Sequence, residues 1–168
     1  MSQGLLALGV VWGLATLVWL WSLRHRDVSV ADIFWPLYHV IVAVILYIES
    51  GANSLFAAAI LGLICIWGLR LALHIGRRQN GKSEDHRYTS VRNANGHKFP
   101  YTSLYLIFLP QALMAWGISL VLLPIFTELG AVNWTQWLFL GVALLGLLFE
   151  VVADLQLTRF RADMPPSA

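Results

Sequence analysis

The chain has 168 residues, 58% of them hydrophobic and only 12% charged, with a formal net charge of +2. A soluble domain of this length carries about 25% charged residues, so a water-soluble enzyme is excluded, and a mean hydropathy of +0.69 points to an all-α integral membrane bundle. Cys65 is the only cysteine, which rules out an intrachain disulfide and a zinc-type cysteine set; no metal site and no nucleic-acid partner are expected, and membrane lipid is.

A hydrocarbon core of about 30 Å needs roughly 20 apolar residues in a helix. Gly4–Leu23 is the first such run; no Lys or Arg precedes it, and it is too long for a secretory signal. Ile33–Ile48 is the second, opened by Asp32, a residue suited to an N-cap. Asp32, Trp35 and His39 form a stripe along it. Leu55–Ile75 is the third, with Arg70 and His74 in its last turns; Leu104–Phe126 is the fourth, with Pro110 and Gln111; Trp137–Ala153 is the fifth, with Glu150 near its end. Lipid leaves no partner for a free backbone amide, so each run is expected to be a helix. The runs lack the period-two alternation of a membrane barrel. Residues 1–163 are expected to form one transmembrane domain, and 164–168, with two prolines, a disordered tail.

Charge placement predicts an orientation. Arg24 and Arg26 follow run one; Arg77, Arg78, Lys82, Arg87, Arg92 and Lys98 follow run three; Arg159 and Arg161 follow run five. The other two connections hold no Lys or Arg. By the positive-inside rule the five spans place the N-terminus outside and the C-terminus in the cytoplasm.

An ionisable group at membrane depth is costly and reads by default as functional, although an Arg near a helix end can reach the headgroups. Three constellations need that weighing. Arg70, His74 and Arg77 fall along one helical face and could hold a phosphate or carboxylate; they also serve as positive-inside anchors. Glu84, Asp85, Arg87 and Tyr88 offer donors, acceptors and a ring to a polar ligand; they also suit an ordinary solvated turn, the reading that spacing alone favours. Glu150, Asp154, Thr158 and Arg161 share one face of the last helix, as an acidic wall for ribose hydroxyls or as an amphipathic helix exit. No metal-hydrolase, P-loop or Rossmann motif is present.

Four stretches, DIFW at 32–35, WGLRLALHIGRR at 67–78, EDHRY at 84–88 and FEVVADLQLTRFR at 149–161, resemble an integral membrane family related to the C-terminal domain of steroid 5-alpha-reductases, with many uncharacterised bacterial members. The resemblance implies a helical membrane reductase that uses NADPH to reduce a carbon–carbon double bond in a lipid or steroid-like substrate, in a bacterial inner membrane. It implies Tyr88 as proton donor or carbonyl polariser with Glu84 and Asp85 beside it. It implies Arg70, His74, Arg87, Glu150, Asp154 and Arg161 as cofactor-binding. It also implies a further segment with an Arg-His-Pro-Asn-Tyr-like motif. The chain ends at Ala168 without one, so the expectation is a truncated or shortened relative with weak or absent turnover, unless a partner chain or oligomer completes it. A non-catalytic membrane protein that keeps the fold is the alternative. A small transporter would be expected to show paired half-helices or an inverted repeat, and neither is seen.

Overall fold

The computed structural model describes residues 4–81, 83–128 and 132–162; Lys82 and the tail at 164–168 lie outside the described residues. The described regular structure is all helical: α1 (Leu5–His25), α2 (Val30–Ser50), α3 (Leu55–Gln79), α4 (His86–Asn95), α5 (Phe99–Ser103), α6 (Leu109–Ser119), α7 (Leu122–Thr127) and α8 (Trp134–Ala162). Five stretches are long and apolar enough to cross a membrane: Leu5–His25, Val30–Ser50, Leu55–Gln79, His86–Ser119 and Trp134–Arg161. This agrees with the expected five-span helical bundle.

Helices and apolar runs differ at their polar ends. α3 continues past Ile75 through Arg77 and Arg78, because cations in a last turn complement the partial negative charge of the helix C-terminus. The fourth run is segmented. A π-helical turn, Leu104–Phe108, precedes Pro110, and α6 ends at Ser119 before α7 begins. Pro124 cannot donate to the carbonyl of Leu120, and its ring would clash there, so a continuous helix is disfavoured at that point. The long connection after α3 is not a plain loop either, since it folds into α4.

The chain forms two compact units, Met1–Leu129 and Gly130–Ala168. In the first, α2 packs against α1, α3, α6 and α7. α1 turns a stripe of small residues inward (Ala7, Val11, Ala15, Val18 and Ser22 are buried), while Leu5, Leu6, Leu17 and Leu20 face outward. Small residues let helices approach closely where lipid supplies no hydrophobic drive for association. α6 does the same with Ala112, Ala115 and Ser119. α3 lies close against α2 at Gly68. A Cβ added at Gly68 would lie 2.9 Å from the Pro36 carbonyl oxygen and 2.4 Å from a Val40 methyl, so only glycine fits that seam. At one end of the unit, Gly4 donates its N–H to Glu49 (3.1 Å) and accepts from the Trp116 indole (2.8 Å). The α1–α2 turn and the connection after α3 meet at the opposite end.

The second unit is built on α8. Asn133 caps it reciprocally: its side chain accepts from the Gln136 amide (3.1 Å), and the Gln136 side chain accepts from the Asn133 amide (2.8 Å).

Candidate functional site

The segment that follows α3 folds back onto the α1–α2 turn through two carboxylates with different partners. Glu84 accepts from the Val28 amide (3.0 Å) and from Nε and Nη2 of Arg92 (2.8 and 2.6 Å). Arg92 also donates to the carbonyl of Arg26 (3.2 Å) and lies 4.4 Å over the Phe99 ring. Burial pushes the Glu84 carboxyl upward, but the hydrogen bonds from Arg92 and Val28 and the charge of Arg92 outweigh it, leaving the group below its ordinary value. Beside it, the Asp85 amide donates to the Ser29 hydroxyl (2.8 Å). Glu84 thus ties α4 to the α1–α2 turn. The bonds described for it run to the Val28 amide and to Arg92.

Asp85 is the N-cap of α4, accepting from the Arg87 amide (3.0 Å). The same carboxylate accepts from Nε and Nη2 of Arg87 (both 3.1 Å). The Arg87 side chain, then its backbone amide, hold Asp85 down at about 2. With its fork aligned, Arg87 reaches across to Asp32 (2.7 Å). Asp32 also accepts from the Tyr88 hydroxyl (2.5 Å), which in turn accepts from the Gln111 side-chain nitrogen (3.4 Å). Asp32 was expected as a helix N-cap. Ser29 holds that position instead, and Asp32 lies in the first turn of α2 facing α4.

The proton count fixes the orientation of this network. Tyr88 has one hydroxyl proton, and it lies on Asp32. Gln111 must therefore turn its NH2 toward the phenol oxygen. Its carbonyl oxygen, Oε1, is left buried with no hydrogen-bond partner. A buried acceptor left unmade costs on the order of 1–3 kcal/mol, so it suits a ligand that brings an N–H or O–H.

Asp32, Arg87 and Gln111 line a cavity of about 340 Å³, with Arg78 at its polar side and Trp35, Leu71, Ile75 and Met114 as apolar wall. Small-molecule sites run from roughly 300 to 1,000 Å³, so this one takes one end of an extended ligand. Tyr88 is buried behind the wall and is coupled to the cavity through Asp32 and Gln111. Of the expected site residues, the structure brings together Arg87, Tyr88 and Asp85. Arg70 and His74 stand half-buried on α3, and neither lines this cavity, to which α3 gives Leu71, Ile75 and Arg78. Glu150, Asp154 and Arg161 lie on α8, in the second unit; Thr158 on the same helix spends its hydroxyl on the Asp154 carbonyl (2.7 Å). Asp32 and Gln111 were not foreseen as site residues. The signals were a carboxylate at the opening of the second apolar run and an amide side chain inside the fourth. No group of residues suited to a metal ion occurs among the described residues.

A family model described as "Protein of unknown function (DUF1295)" matches residues 18–167. No curated protein and no solved structure matches the chain. The match takes in every motif named above and far more than half of the sequence, so this helical, membrane-type chain belongs to the DUF1295 family.

Proposed function

We propose that the chain is a membrane reductase of the steroid 5-alpha-reductase-like type, acting with NADPH on a carbon–carbon double bond of a lipid or steroid-like substrate. The observation that carries the reading is the cavity faced by Asp32, Arg87 and Gln111, with the Tyr88 phenol hydrogen-bonded between two of them. Its donor set fits the cofactor. The unpartnered Gln111 oxygen suits the N–H of a nicotinamide carboxamide, and the guanidinium groups of Arg78 and Arg87 suit phosphate oxygens. At about 340 Å³ the cavity would take one end of the dinucleotide. A cofactor-binding role for Glu150, Asp154 and Arg161 on α8 is proposed separately, on the strength of the motif resemblance alone.

Bound NADPH would supply the hydride. This chain's residues would supply the balancing proton and the alignment. Asp32 and Tyr88 share one short hydrogen bond, so a proton held there can pass toward the cavity and saturate the second alkene carbon. The products are the saturated lipid and the oxidised cofactor. Trp35, Leu71, Ile75 and Met114 would exclude water from the reacting carbons. Substrate would enter from the bilayer, with the polar loops on the cytoplasmic side of a bacterial inner membrane; a second chain or copy could complete the site.

One observation favours a second, non-catalytic reading. Asp32, Arg87, Tyr88 and Asp85 already satisfy one another, as they would in a network that only holds α4 in place. The two readings separate in one assay. Purified protein in lipid nanodiscs is mixed with NADPH and an enone lipid, and oxidation is followed at the nicotinamide absorbance. The reductase reading expects enone-dependent oxidation that falls at least 100-fold in Asp32→Asn. Oxidation no faster in the parent than in that variant leaves the structural reading standing.

A further inference from the structure

A second and larger cavity, about 680 Å³, lies between α1, α2 and α3. α3 shows it a different set of residues, Leu69, Leu73 and Gly76, from those it gives the Asp32 cavity. The lining changes character along its length. Ile33, Leu37, Leu69 and Leu73 make an apolar trough, and Arg77 and Gln79 stand at its polar end. Leu69 and Leu73 are 52% and 60% exposed, so the trough opens sideways, to where a bilayer would lie. From Leu69 to Gln79 the helix rises roughly 15 Å, about half the ~30 Å hydrocarbon core. One side of the trough therefore matches one leaflet in length, with its polar end at the level of that leaflet's headgroups.

The polar end asks for an acceptor. The side-chain nitrogen of Gln79 is buried and has no hydrogen-bond partner. The nearby carboxylate of Asp27 is engaged by the Ser29 amide (2.8 Å). Arg77 adds a guanidinium. Two sets of N–H donors above a one-leaflet apolar trough suit a phosphate carried on acyl chains.

We infer that this crevice is a binding site for one glycerophospholipid, its phosphate on Gln79 and Arg77 and an acyl chain along Leu69, Leu73 and Ile33. The inference does not rest on the reductase reading, since the two cavities have no lining residue in common.

Native mass spectrometry of the full chain tests it. The protein, released from mild detergent, is titrated with dioleoyl phosphatidylglycerol and, separately, with dioleoylglycerol, which has the same chains and no phosphate. One phosphatidylglycerol per chain should survive activation that strips loosely held lipid, with dioleoylglycerol held at least 10-fold more weakly. Gly76→Leu should reduce retention at least 10-fold. A Cβ there has only ordinary contact with Ile33, at 3.8 Å, so the added side chain can occupy the trough. Gln79→Leu should weaken retention several-fold while keeping helicity and melting temperature, which leaves the test open should Gly76→Leu fail to fold. Equal retention of the two lipids, retention unchanged in both variants, or a dimer that forms in place of the lipid adduct would overturn the inference.

Discussion

The connection after α3 supplies two carboxylate–arginine networks that differ in what surrounds them. Glu84 with Arg92 is enclosed: the side chains are 13% and 31% exposed, and their partners are backbone groups of the α1–α2 turn. Asp32 with Arg87 is open on one side. Arg87 is 56% exposed, and both residues border a cavity. The same chemical pair holds the fold together in one place and presents a polar wall in the other. What distinguishes them is what lies alongside, turn backbone in one case and a cavity in the other, not the identity of the charges.

Removing the enclosed pair should do the most damage. Glu84→Ala takes the acceptor from the Val28 amide and from both Arg92 nitrogens; water can take over at the partly exposed Arg92, which leaves a net cost near that of one charge-assisted bond, about 1.5–3 kcal/mol. A loss of about 2–3 kcal/mol should appear as a clear drop in melting temperature in detergent; an unchanged melt would erase the contrast between the two networks. Acid should act next. The folded values of Glu84 and Asp85 lie below their unfolded ones, so their stabilisation is complete above the ordinary carboxylate range and is lost as pH falls through the folded values. The melting temperature should hold steady above about pH 5 and decline between about pH 4 and pH 2. Glu84→Gln should make the decline shallower. The smallest effect on stability belongs to the open pair. Asp32→Asn should change it by about 1 kcal/mol or less, because the Arg87 end of the pair is solvent-screened and an asparagine oxygen can still accept from Tyr88. A cost equal to that of Glu84→Ala would mean that both networks are structural.

The spans were legible in the sequence because a run of apolar residues must be helical in lipid, whatever else the chain does. The segmentation of the fourth run was less so. Pro110 and Pro124 mark where a helix is disturbed, but not whether it bends or stops. At the site, EDHRY was visible as a polar cluster, yet its members separate only in three dimensions. Glu84 finds a backbone amide 56 residues earlier in the chain, and that pairing has no local signature. Asp32 looked like a cap because a carboxylate at a helix start usually serves there; α4 folding back over it is a tertiary effect. Gln111 stood inside an apolar run, which signals a polar partner without naming Tyr88.

The most direct test of the account is the thermal shift produced by NADPH in the parent chain and in Gln111→Leu, with NADH and ATP as controls. A ligand that binds only the folded state stabilises it by about 2.7 kcal/mol at one hundred times its dissociation constant. Gln111→Leu removes an unpartnered buried oxygen and one long hydrogen bond, so its own melting temperature should stay near the parent's. The account predicts an NADPH-specific shift in the parent that is lost in Gln111→Leu. An equal shift in both proteins, or none in a well-folded parent, would contradict it.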